Sequence, residues 1–146
     1  SLIYATDFNS SIVETAKNGI YNISDIRNYN NNYHKSGGKE SFADYYHADS
    51  NTVVIKSYLK KQIVFADHNL VTDSVFGEMQ LILCRNVLMY FNETLQQHVF
   101  ELLSNSLCSG GFLCVGQKES IKFSNIESSF VERNADARIY KKKQSA

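Results

Sequence analysis

An open α/β fold, a largely parallel sheet with helices packed against it, is predicted by three features of this 146-residue chain. The run Leu81-Ile82-Leu83-Cys84 has the length and branching of a strand buried on both faces, and it stops abruptly on Arg85-Asn86. Residues 2–6 make a second apolar strand that ends on Asp7 and passes straight into a helical pattern. A helix over residues 93–108 leads through Ser109-Gly110-Gly111 into a third apolar strand at residues 112–115. Strands alternating with helices build parallel sheets, and such sheets hold ligands at the carboxyl ends of their strands, where the loops are free of packing duty. The polar residues that terminate these strands are therefore the first candidates for function.

The length suits one domain. Fifteen basic and fifteen acidic side chains cancel, so no bulk attraction to nucleic acid or an anionic membrane is expected. The three cysteines are odd in number and sit in or beside apolar runs, as reduced thiols of a cytoplasmic protein do. Cys84, Cys108 and Cys114 lack a C-x-x-C spacing, so no metal site is expected. No apolar run approaches the about 18 residues of a membrane span, and no signal-peptide pattern is present. The chain lacks an initiating Met and opens almost directly on a strand, as a fragment of a longer polypeptide would.

In chain order, the strand at residues 2–6 is followed by a helix capped at Ser10 or Ser11, with Glu14 completing a capping box. Ile12, Val13 and Ala16 would form its buried face, and Asn18-Gly19 would close it. Asp7, at the junction, either caps that helix or accepts the two ribose hydroxyls of an adenosine, a role suited to an ionised carboxylate. Residues 21–38 are polar, with the tract Asn30-Asn31-Asn32, and read as a helical turn around residues 24–29 and then a loop. Residues 42–46 and 52–55 are β-like, joined by a tight turn at Ala48-Asp49-Ser50-Asn51, and Ile63-Val64-Phe65 can pair with them in a small antiparallel excursion over residues 41–66. That excursion is either a covering hairpin or a docking edge for a partner peptide.

Beyond it, His68 is either a solvent-facing histidine or a lone ligand, and Asn69 offers the donor and acceptor needed to read an adenine edge. Asn92 caps the helix of residues 93–108, whose Leu95, Val99, Leu102, Leu103 and Leu107 recur at helical spacing. Lys118-Glu119-Ser120, past the strand at residues 112–115, reads as a solvated turn. Phe130-Val131 and residues 137–141 make a closing antiparallel hairpin, and Lys141-Lys142-Lys143 a solvated end.

The block CRNVLMYF and the residues after it, through a Gly-Gly turn to Gly116-Gln117-Lys118-Glu119-Ser120, resemble the signature of chemotaxis receptor methyltransferases of the CheR type. The opening IYATDF and the HNL at residues 68–70 are similar to two further blocks of that family, in the same order. The resemblance implies a Rossmann-like, class I methyltransferase sheet carrying a small antiparallel β excursion, with residues 1–146 as the C-terminal part of the domain. It implies S-adenosylmethionine as methyl donor, S-adenosylhomocysteine as product, and glutamate side chains of a chemoreceptor's cytoplasmic domain as acceptor. Asp7 would hold the ribose, Asn69 and Leu70 would line the adenine side, and Cys84, Arg85 and Asn86 would border the methionine and sulfonium end. Tyr90 would stand beside the transferring methyl group.

Gln80, Ser109 and Gln117-Lys118 depart from the family pattern, which has Asp, Pro and His-Ser there. The family's glycine-containing cofactor loop and the central strand leading into it would lie before Leu2. Without that strand two edges are left unpaired, to be filled by another chain, such as a second copy in a homo-oligomer, by rearrangement, or by residues outside this sequence. The turn at residues 48–51 is shorter than in family members that tether to a receptor peptide. On these grounds the chain is expected to be inactive alone and its parent an enzyme. The alternative is a non-catalytic signalling module that keeps the fold, and a generic nucleotide-binding domain comes third.

Overall fold

A computed structural model describes residues 1–75 and 77–144. The chain divides into two compact units, Ser1–Asn69 and Leu70–Ala146. The first contains, in order, β1 (Ile3–Asp7), α1 (Ser10–Asn18), β2 (Ile20–Asn22), α2 (Ile26–Lys35), β3 (Tyr46–Ala48), β4 (Thr52–Ile55), α3 (Ser57–Lys60) and β5 (Ile63–Asp67). The second contains β6 (Met79–Cys84), α4 (Glu93–Ser106), β7 (Leu107–Val115), β8 (Phe130–Asn134) and β9 (Ile139–Lys142). The chain is thus mixed α/β, as expected.

In the first unit β1 and β5 form a parallel pair, in register from Ile3 opposite Ile63 to Asp7 opposite Asp67. This corrects the expectation that Ile63-Val64-Phe65 joins the antiparallel excursion. The third place there is taken by β2, in the order β2-β4-β3, around the fully buried Val53. A parallel partner needs a long crossover, and the excursion together with α1, α2 and α3 supplies it.

The cap of α1 is Asn9, whose side chain accepts the Ser11 N–H at 3.0 Å, in place of the expected serine capping box. Asn is as good an N-cap as Ser, and it stands at the position where the backbone is still extended. Gly19, at φ 68°, ends the helix by returning its N–H to the Thr15 carbonyl. The face expected to be buried is only partly so: Val13 and Ala16 are half-buried and Ile12 is exposed.

The polar stretch expected to be a short turn and a loop is instead a 3-10 turn, Ile23–Asp25, and the ten-residue α2, which includes the Asn tract. Asn is a poor helix former, so tertiary contacts decide. Tyr29 meets Tyr21 edge-on, and Tyr33, one turn further, packs on Phe42 and Tyr45, its hydroxyl 3.2 Å from that of Tyr45. The same cluster folds Phe42–Tyr45 into a 3-10 turn, and the strand expected from residue 42 begins only at Tyr46.

In the second unit the strand order is β6-β7-β9-β8, with β6 parallel to β7 and the closing hairpin β8–β9 antiparallel, as expected. Val99, Phe100 and Leu103 of α4 pack with Leu113, Val115, Ile121, Phe130 and Tyr140 in one core. Asn92 caps α4 by accepting the Leu95 N–H at 3.0 Å. The helix stops at Ser106, and β7 runs from Leu107 straight through the Gly-Gly turn that was expected to separate helix from strand. Gly110 sits at φ 79°, and a Cβ on Gly111 would lie 2.9 Å from the Cys108 carbonyl, so the two glycines let a bulged strand pass close to its own backbone.

The strand β6 is not buried on both faces, contrary to expectation: Ile82 and Cys84 face the core, but Leu81 and Leu83 are 57 % and 66 % exposed. Nor is the lysine tail a solvated end, because Lys142 Nζ donates to the carbonyls of Ser104 at 2.7 Å and Leu107 at 2.9 Å, capping the C-terminus of α4. Among the described residues no helix is long and apolar enough to cross a membrane.

Candidate functional site

In the first unit the site is the carboxyl end of the parallel pair. The Asp7 carbonyl accepts the His68 N–H at 3.0 Å, which extends the ladder one step beyond Asp67 and holds residues 67–69 beside the tip of β1. Asp7 Oδ1 accepts the Asn9 N–H at 2.9 Å, so the turn into α1 fixes the carboxylate's direction. Asp7 and Asn69 are both half-buried. Two side chains predicted to contact an adenosine, one a carboxylate and one an amide, are therefore brought to one end of the same two-stranded ribbon.

In the second unit the corresponding end is that of β6 and β7, where Cys84 lies opposite Val115. The chain turns at Asn86, which adopts the left-handed region at φ 59°, and continues into a 3-10 turn at Leu88–Tyr90. Leu88 is buried, while Arg85, Asn86, Met89 and Tyr90 are exposed, Tyr90 by 80 %. Leu70 packs against the core of this unit.

The group that holds this end together is one that sequence reasoning missed. Glu119 is buried, with only 6 % of its surface exposed. Its Oε2 accepts the N–H of Asn86 at 2.9 Å and of Gly116 at 2.6 Å, and its Oε1 accepts the N–H of Met89 at 3.2 Å. Hydrogen bonds to a charged acceptor contribute about 1.5–3 kcal/mol each, so the expected solvated turn is instead a clamp joining β7 to the tip of β6. The departures Gln117 and Lys118 are exposed and leave the clamp intact. The available signal was the spacing Gly-x-x-Glu at the end of a buried strand, but a Glu between Lys and Ser carries no mark of burial.

Cys84 lies under the same loop. Burial, and secondarily the charge of Glu119, pushes its thiol up to about 12. Cys84 is thus a neutral thiol of the core at neutral pH. Native protein at pH 8 is expected to leave Cys84 unalkylated by iodoacetamide until it is unfolded, as peptide mapping would show. The thiol ionises near 9.0 when unfolded, so its neutral burial stabilises fully below that pH, and the contribution drains away as pH rises toward about 12.

Each unit thus ends a parallel strand pair in polar groups, a fixed carboxylate and an amide in the first and a clamped polar loop in the second, the arrangement expected of α/β proteins that bind a cofactor at their strand ends. Residues 1–137 match the family described as CheR methyltransferase, SAM binding domain. The chain belongs to that family, and the cofactor of its domain is S-adenosylmethionine. It is 45 % identical, over 97 % of its length, to a putative methyltransferase Cher3 of Pseudomonas putida, of which it covers 52 %. It is 32 % identical to a chemotaxis protein methyltransferase of Vibrio anguillarum, with 82 % of the chain and 42 % of that protein aligned. With the chemotaxis protein methyltransferase of Escherichia coli it shares 28 % identity over 90 % of the chain and 44 % of that protein. The chain thus spans about half the length, or less, of these relatives.

Proposed function

We propose that the full-length protein transfers a methyl group from S-adenosylmethionine to glutamate side chains in the cytoplasmic domain of a chemoreceptor, and that it works in the cytoplasm. Residues 1–146 are the C-terminal part of its methyltransferase domain, with the β2-β4-β3 sheet as the excursion. The observation that carries the reading is the Asp7 carboxylate, pre-aimed by the Asn9 N–H at the end of a parallel strand.

The residues present fit the cofactor chemically. The ionised carboxylate of Asp7 suits the ribose diol, the amide of Asn69 and the apolar Leu70 suit the adenine, and the neutral thiol of Cys84 with Arg85 and Asn86 borders the methionine end. When bound, the cofactor supplies an electrophilic methyl group. A substrate glutamate is already ionised at neutral pH, its reference pKa being about 4.3, so no general base is required. The protein's task is alignment and exclusion of water, and Tyr90 is assigned to hold the acceptor carboxylate in line.

The sheet is proposed to be Rossmann-like, with a further, central strand. Among the described residues β1 pairs only with β5 and β6 only with β7, and Leu81 and Leu83 lie exposed on the latter pair's first strand. An unpaired strand edge calls for a further strand, and an exposed apolar face for a covering layer, from elsewhere in the polypeptide or from another chain.

Calorimetry with S-adenosylmethionine tests the assignment. Full-length protein is expected to bind it, Asp7→Ala to weaken binding by about 10-fold or more, and residues 1–146 alone to bind at least as poorly, since a lost hydrogen bond to a charged group is worth about 1.5–3 kcal/mol. No binding by the full-length protein would favour a non-catalytic module.

A further inference from the structure

We infer that Glu119 is a positioning residue for methyl transfer, setting the turn that presents Tyr90; this rests on the role proposed for Tyr90. The turn Leu88–Tyr90 is held from two sides. On one side Oε1 of Glu119 accepts the Met89 N–H at 3.2 Å. On the other, Gln96 Nε2 donates to the carbonyls of Leu88 and Phe91, both at 3.0 Å. Leu88 anchors the turn in the core, and the two side chains left projecting are Met89, 50 % exposed, and Tyr90, 80 % exposed.

The clamp stabilises the unit, but stability alone does not call for a buried carboxylate here. A buried carboxylate loses its hydration, and among the described residues no lysine or arginine forms a salt bridge with it. What the carboxylate provides that an apolar side chain cannot is two acceptor atoms on one rigid plane. One takes the paired N–H groups of Asn86 and Gly116, the other the single N–H of Met89. The left-handed Asn86 bends the tip of β6 so that its N–H points to the same acceptor as that of Gly116. The position of Tyr90 is thereby referred to the ends of β6 and β7 through one side chain.

The asymmetry gives a selective test, Glu119→Gln in the full-length protein. The amide keeps one oxygen, which goes to the two-donor site. Its NH2 group then faces the Met89 N–H, and two opposed donors release the Leu88–Tyr90 turn while leaving Asn86 and Gly116 bound. A displacement of about 1 Å at a positioned group can cost about a hundredfold in rate. The expected result is a kcat lowered at least tenfold with receptor domain as acceptor. The dissociation constant for S-adenosylmethionine should stay within about threefold, and the Met89 amide should exchange at least tenfold faster than in wild type, while Leu113 and Val115 are unchanged. Faster exchange at Met89 with kcat unchanged would reduce Glu119 to a structural clamp and overturn the inference, as would exchange at Met89 unchanged. A wild-type protein that binds the cofactor but methylates no receptor domain fails the functional reading instead, and takes the positioning role down with it. Met89 exchange would still distinguish that failure from an error in the clamp.

Discussion

Gly116→Ala is expected to destabilise the second unit by roughly 2–5 kcal/mol, the sum of overpacking and of disturbing a buried charged acceptor. A Cβ at this position would stand 2.5 Å from Asn86 Oδ1, 2.6 Å from Glu119 Oε2 and 2.9 Å from the Asn86 amide nitrogen. The exposed Asn86 side chain can swing aside, but the other two atoms cannot retreat cheaply, because both belong to the clamp: Oε2 is bound to the Gly116 and Asn86 N–H groups, and the Asn86 backbone is fixed in the left-handed region. The glycine is required for space, so relief would come by expelling Glu119 and leaving the buried Gly116 N–H and the part-buried N–H groups of Asn86 and Met89 without this acceptor. A fall in Tm of roughly 5–15 °C is expected for a chain of this size, with loss of cofactor binding in the full-length protein. Gly37→Ala is the control, since nothing lies within 4 Å of a Cβ there and its cost is the left-handed φ of 95° alone, about 1–2 kcal/mol. Equal Tm shifts for the two variants would mean that the packing around Gly116 is not what the clamp requires.

The contrast between these two glycines also marks what the sequence could and could not convey. Strand ends were legible where apolar runs met polar residues, and β1, β5, β6 and β9 lie within about two residues of expectation while β8 starts where expected and runs on to Asn134, because alternation and run length depend on the residue itself. The Asn tract of α2 was not legible, since local propensity argues against helix and only the packing of Tyr29 and Tyr33 on distant rings reverses it. The extension of β7 through Gly110 and Gly111 was hidden for a similar reason: a Gly-Gly pair signals a turn, whereas here it admits a bulge beside Gln80. Of the candidate site, Asp7, Asn69 and the Cys84-Arg85-Asn86 tip are all found at strand ends, as their polarity after apolar runs implies. Glu119 and Lys142 escaped because a charged residue in a charged neighbourhood reads as solvated, and only the three-dimensional accounting of backbone donors and acceptors shows otherwise.

Tyr90→Phe, in the full-length protein, is expected to lower kcat for the proposed receptor methylation by about a hundredfold, the size of loss that a misplacement of about 1 Å between reacting groups can cause. The exposure of Tyr90 makes this a clean experiment. Its side chain is 80 % exposed and the turn beneath it is anchored by Leu88, Gln96 and Glu119, so loss of the hydroxyl should leave Tm within about a degree. Cofactor affinity should likewise be kept, because the side chains assigned to the ribose and adenine lie elsewhere in the chain. The two variants at this turn then separate presentation from chemistry. Phe keeps the ring in place and removes the hydroxyl, whereas Glu119→Gln keeps the hydroxyl and frees the turn that carries it. If the hydroxyl aligns the acceptor carboxylate, both lower kcat, but only the Glu119 variant speeds exchange at Met89, and combining them adds little to either loss. A Tyr90→Phe enzyme with undiminished kcat would show that the exposed ring alone serves, as an apolar wall excluding water from the methyl group, and would remove the hydroxyl from the mechanism.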